Sequence, residues 1–243
     1  MEYNRDYFIF GEPIQTKFGA VRFLTYKEYL SYLPQLSLIS MNTLHIYYHY
    51  KNEVKKPTEE EKQTLLEFKE TPLYQIVLST PQFLQTYIEI FTKLITFNEN
   101  VDCSEIFANE KDFMDIRKLI MDMNVVTEEE VSPNEEIQRG FERSRRAKQL
   151  EAPKQSFLDI VTCIVTGTPH SFEEVSKMNV MQIYALYGRI GAFFNYKTST
   201  LFATVAEKVN VELWNKHINL FEKESHAIEY DKFKNKTGSI FND

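Results

Sequence analysis

"PQFLQTYIEIFTKLIT" (residues 81–96) decides what kind of fold this chain can adopt. Phe83, Tyr87, Ile90 and Leu94 recur at helical spacing, with Leu84, Ile88, Phe91 and Ile95 beside them. So wide an apolar face predicts a central helix covered by others. Thr80 ahead of Pro81 places an N-cap before proline at the first helical position, where its missing N–H costs nothing.

Working outward, the neighbours also read as helices. Thr25 with Glu28 makes a capping box that opens "YKEYLSYLPQLSLIS", which Pro34 is expected to bend or divide. "MNTLHIYYHYKNEV" continues as a helix with aromatic faces, Thr58 with Glu61 opens another, and "PLYQIVLS" is a short one. On the other side "FNENVDCSEIFANE" reads as a polar loop, and Phe113, Ile116, Leu119, Ile120 and Met123 define the next helix. "SFLDIVTCIVTG" is β-branched enough for a strand, but Ser156 with Asp159 and the spacing of Phe157, Ile160, Val161 and Ile164 favour helix, ended by Gly167. Ser171 with Glu174 forms a third capping box. Asn179 then caps a helix whose stripe is Val180, Ile183, Tyr184, Tyr187, Ile190 and Phe194. Gly188 and Gly191 inside it cost about 1 kcal/mol each against alanine, so a close approach is expected there, with a kink as the alternative. One or two more helices are expected between Thr198 and Tyr230.

Strand chemistry is confined to residues 7–24. Tyr7–Phe10 reads as a short strand, and Ile14–Thr16 and Ala20–Leu24 as a hairpin around Phe18-Gly19. The expected fold class is therefore mainly α, one or more helical bundles with a small N-terminal β-hairpin. Residues 127–155 are mostly charged and contain Pro133 and Pro153. They read as a connector with one solvated helix between a hairpin-plus-helical domain (1–126) and a C-terminal helical domain (156–230), with a flexible tail at 231–243. No fixed-period repeat is visible.

Composition narrows the function classes. The 243 residues suffice for a sizeable core, and 43 % hydrophobic and 14 % aromatic content argues against disorder. A net charge of -7 disfavours non-specific nucleic-acid binding. Two cysteines, Cys103 and Cys163, suggest reduced thiols rather than a disulfide framework. The N-terminus lacks signal-peptide character and no apolar run approaches the roughly 20 residues a membrane span needs, so a cytoplasmic location and no membrane partner are expected.

Catalytic signatures are absent. His45 and His49 stand four apart, but "HIYYH" lacks the glutamate of a zinc hydrolase and a third ligand, so no metal is expected. There is no G-x-S-x-G elbow, no phosphate loop and no G-x-G-x-x-G fingerprint, and no cofactor is implied. Arg139, Arg143 and Arg146 share a helical face, where a solvated surface is favoured over phosphate binding.

Several segments together resemble the tail assembly chaperone family of phages of low-GC Gram-positive bacteria. They are "PIQTKFGAVRFLTYKEYL", "DIRKLIMDMNVV" with "SPNEEIQRGFERSRR", "DIVTCIVTGTPHSFEEVSKMNVMQIYALYGRI", and a closing "LWNKHI". The resemblance implies a helical, non-enzymatic protein of the host cytoplasm that binds the tape-measure protein and helps recruit tail-tube subunits, with self-association left open. An amphipathic helical partner would need a groove. The residues expected to supply it are Phe172, Met178, Met181, Tyr184, Tyr187, Gly188, Gly191 and Phe194; packing within the chain's own core is the competing reading for each. The alternative function is a structural tail or baseplate-associated protein of the virion; an enzyme with dispersed catalytic groups is a third.

Overall fold

The computed structural model describes residues 3–53, 58–151, 156–206 and 209–221. It is mainly helical, with a small antiparallel sheet near the N-terminus. The helices are α1 (Tyr26–Ser40), α2 (Thr43–Glu53), α3 (Glu59–Glu70), α4 (Leu73–Ser79), α5 (Pro81–Leu94), α6 (Glu110–Met123), α7 (Glu135–Glu151), α8 (Phe157–Gly167), α9 (Phe172–Lys177) and α10 (Val180–Phe202). Two 3-10 helices, Arg5–Phe10 and Cys103–Ala108, join them.

The hairpin forms between β1 (Ile14–Gln15) and β2 (Gly19–Val21), and β2 also pairs with β3 (Ile95–Phe97). That third strand follows α5 directly, where Ile95 reads equally well as the next helical residue. Gly19 is what admits it. Its φ is 144°, and a Cβ there would lie 2.1 Å from the Thr96 carbonyl oxygen. No other residue fits so close to a neighbouring strand. Val21 and Ile95 face each other across the pair and are both buried.

α5 is the centre of the core. Phe83, Tyr87, Ile90, Phe91 and Leu94 are buried, and Tyr87 and Phe91 join Phe107 and Phe113 in a cluster with ring centroids 4.9–6.2 Å apart. α6 packs beside them through Phe113, Ile116, Leu119, Ile120 and Met123. Its Arg117 is 2 % exposed, yet fully engaged. The guanidinium donates to the carbonyls of Ile39 and Met41 and to the Tyr87 hydroxyl, and it pairs with Glu128. Burial without those partners would be prohibitive.

Several expectations need correction. Tyr7–Phe10 is not a strand but the last four residues of a 3-10 helix, capped by the Asn4 side chain and closed by Gly11 at φ 71°. Phe8 is fully buried while Tyr7 and Phe10 are exposed, so only one ring has a core to face. Pro34 does not divide α1. It lies on the exposed side, while Tyr26 and Tyr29 before it and Leu36 and Ile39 after it anchor one buried face. The break comes later, at Met41-Asn42, where the Asn42 side chain accepts from the His45 N–H. The expected polar loop contains the second 3-10 helix, whose Ile106 is buried. α10 runs on to Phe202, and the described residues 209–221 form turns rather than a further helix. The Glu61 side chain of the expected second capping box and the 231–243 tail lie outside the described residues.

The capping boxes at Thr25, Ser156 and Ser171 form, and Asn179 with Gln182 makes another. This last box also joins distant parts of the chain. Asn179 Nδ2 donates to the Phe8 carbonyl at 3.0 Å, and Gln182 Nε2 to the Ile9 carbonyl at 2.8 Å. The Tyr26 N–H donates to the Met178 carbonyl at 2.6 Å. Ile160, Ile164, Val175, Val180, Met181 and Ile183 thereby continue the same buried cluster as α1, α5 and α6. α7, between the two stretches, is mostly solvated; Gln138 is buried and its side chain accepts from the Ser132 N–H, and Phe141, Glu142 and Arg145 are half-buried.

Candidate functional site

α8 and α10 pack side by side, and their outer surface forms an open groove of about 540 Å³. Thr162, Cys163, Thr166 and Gly167 of α8 form one wall. Tyr187, Gly188, Ile190, Gly191, Ala192 and Phe194 of α10 form the other. No residue with a charged side chain lines it. The close approach of the two helices falls at Gly167, where a Cβ would lie 3.1 Å from Ile190. It does not fall at Gly191, whose Cβ would meet nothing within 4 Å and would point into open space.

Gly188 faces a different neighbour. A Cβ on it would contact Ile218 Cδ1 at 3.4 Å. Ile218 belongs to residues 209–221, which lie across α10 as a strap. Arg189 fixes the strap by donating from Nη1 to the carbonyls of Trp214 and Lys216, at 2.6 and 2.9 Å. The Trp214 ring meets Phe193 edge-on at 5.6 Å. Two separate motifs, the "LYGRI" of α10 and the "LWNKHI" near the C-terminus, are thus the two halves of one contact. Beneath the strap a second cavity, about 520 Å³, is lined by Ile9, Met178, Leu186 and Leu220 among others.

Of the eight residues expected at a binding face, Tyr187, Gly188, Gly191 and Phe194 come together in the groove. Met178 lies beneath the strap, half-buried. Phe172 is 59 % exposed at the start of α9 and does not line the groove. Met181 is a core residue, 6 % exposed. Tyr184 is half-buried and packs against the core beside Tyr29. The correction has a simple cause. α10 packs on α8, α1 and the first 3-10 helix at once, so its apolar stripe is divided among several neighbours. The α8 wall carried no sequence signal, because Thr162, Cys163 and Thr166 become a surface only when α10 lies beside them.

The titrating groups near this region serve structure. Burial first, and the neighbouring Tyr184 second, push the Tyr26 hydroxyl up to about 12. Burial likewise raises Tyr29. Glu174 is held below the usual carboxylate range by the Ser171 backbone N–H and hydroxyl of its capping box. Among the described residues no group of three or more His, Cys, Asp or Glu is placed to hold a metal ion. No described helix is long and apolar enough to cross a membrane.

The YomV N-terminal domain family matches residues 3–133, and the YomV second domain family matches residues 147–219. The chain belongs to the YomV family. Its relative in Bacillus subtilis (strain 168), described as "SPbeta prophage-derived uncharacterized protein YomV", is 33 % identical over 232 residues and covers 95 % of each chain. That relative is prophage-derived, which indicates a phage origin for the family. No solved structure matches the chain. Within the YomV second domain fall the groove and the strap as far as Asn219, and the Asn179–Gln182 box ties that domain to Phe8 and Ile9 of the YomV N-terminal domain.

Proposed function

We propose that this protein is a non-enzymatic tail assembly chaperone of a phage, acting in the host cytoplasm. In this reading it holds a helical segment of the tape-measure protein in the α8–α10 groove and helps recruit tail-tube subunits. The groove carries the reading. It is apolar, uncharged and open, and it is walled by two helices whose N-termini are fixed by capping boxes. An amphipathic helix seats its apolar face in such a surface, and glycine in the wall lets its backbone come near. The sequence resemblance and the prophage-derived relative support the same direction.

Gly191→Leu tests this cleanly. Gly191 has open space in front of it, so leucine fills the groove rather than the core. Replacing glycine within a helix should preserve folding and raise stability by up to about 1 kcal/mol. Co-expression with the tape-measure protein of the same phage should give a complex with the wild type and little with the variant. A wild-type protein that fails to co-purify, and is instead found by mass spectrometry in purified virions, would overturn the chaperone reading in favour of a structural tail component.

A further inference from the structure

α10 is far longer than the surface it covers. Its buried residues are Val180, Met181 and Ile183, all in the first turns. From Gly191 to Phe202 it has no buried residue. This outer half, roughly 18 Å long at 1.5 Å per residue, carries Phe193, Phe194, Leu201 and Phe202, with Val205 just beyond. Their exposures are 37, 57, 70, 57 and 82 %. Isolated helices of this length are marginal in water, and Asn195, Thr198, Ser199 and Thr200 are weak helix formers. Phe193 meets Trp214 of the strap, and from Phe194 onward the outer half needs packing that the described residues do not supply.

We infer that the outer half of α10 is a homodimer seam, closed by α10 of a second copy running antiparallel. Three observations select a second copy as the occupant. The pattern is self-complementary: Phe194 and Leu201 lie two turns apart on one face, and a two-fold axis midway between Lys197 and Thr198 sets Phe194 of each copy against Leu201 of the other. Electrostatics permits it. Lys197 is the one charged residue from Gly191 to Phe202 and lies 4.6 Å over its own Phe193 ring, so two acidic chains meet where neither presents acidic groups. The area suffices. With about 200 Å² for a fully buried aromatic side chain, Phe194, Leu201, Phe202 and Val205 expose on the order of 500 Å² per copy, and a pair would cover up to about 1,000 Å², the threshold for a specific interface. The seam begins at Phe194, where the groove ends, and does not rest on the chaperone reading.

Sedimentation equilibrium of the full chain tests it. The wild type should have twice the 28.8 kDa chain mass at micromolar concentration. Leu201→Glu/Phe202→Glu should sediment as a monomer, with circular dichroism and melting temperature unchanged because both side chains are exposed. A second measurement fixes the geometry. In a Cys163→Ser background, Thr198→Cys should form a disulfide-linked dimer on mild oxidation, while Leu150→Cys, at another exposed position, should not. A wild type that remains monomeric, a double variant that still dimerises, or Thr198→Cys that links no better than Leu150→Cys would overturn the seam. Binding of the tape-measure protein by a monomeric wild type would leave the groove reading standing, and a dimer that captures no tape-measure protein would leave the seam standing alone.

Discussion

Replacing Phe91 by alanine should be among the most damaging single changes in this protein. The side chain has no exposed surface and sits where α5, α6 and the second 3-10 helix converge. Its ring stacks on Phe107 at 5.6 Å and meets Tyr87 edge-on at 5.7 Å, with Phe113 at 6.2 Å. Truncation removes the burial of the whole ring and leaves a cavity, a combination that costs about 3–5 kcal/mol. The upper part of that range is expected, because each lost aromatic pair adds about 0.5–1.5 kcal/mol beyond area. The neighbouring rings are also held on separate elements and cannot close the gap together. For a chain of this size each kcal/mol lowers the melting temperature by about 2–4 °C, so the shift should be roughly 6–20 °C. Urea unfolding followed by far-ultraviolet circular dichroism measures the loss, with Phe91→Leu as a milder control. A loss within about 0.5 kcal/mol, the range of surface positions, would mean that α5 is not the centre of the core.

Arg117→Lys should cost about 3 kcal/mol or more, since an ammonium cannot satisfy two carbonyls, the Tyr87 hydroxyl and Glu128 from one position; an unchanged urea midpoint would contradict the buried network. The Glu28 carboxyl is held well below the usual range, mainly by Arg22 and further by Thr25 and Lys93. Its folded pKa is depressed, so its stabilisation is full above the unfolded value of 4.5 and is lost as pH falls below it. Glu28→Gln should therefore flatten the acid side of the stability profile between about pH 5 and pH 2, and a parallel downward offset across all pH would refute the linkage. Gly188→Ala should be tolerated, its Cβ at contact distance from Ile218, whereas Gly188→Leu should lift the strap. Trp214 is the one tryptophan, so lifting should appear as a red-shifted, more readily quenched emission; identical spectra for the two variants would place the strap elsewhere.

Local signals determined much of this protein. Thr25-Glu28, Ser156-Asp159, Ser171-Glu174 and Asn179 satisfy helix N-termini with atoms from within three residues, so the helix starts are written in the sequence. The stripe Phe83, Tyr87, Ile90, Phe91 and Leu94 is dense enough that no other element could bury it. The hairpin around Gly19 was legible for the same reason, but its third strand was not. Ile95–Phe97 becomes a strand because β2 offers it an edge, and sequence spacing carries no record of that edge. The first 3-10 helix depends on Asn179 and Gln182, more than 170 positions away, to bond the carbonyls of Phe8 and Ile9. The candidate site divides in the same way. Tyr187, Gly188, Gly191 and Phe194 share a helix, and their spacing marks them together. Which of α10's faces goes to the core, which to the strap and which to the groove is set by α8, α1 and residues 209–221 arriving from other parts of the chain. A helix has one apolar stripe in sequence, and only its neighbours in space decide how that stripe is divided.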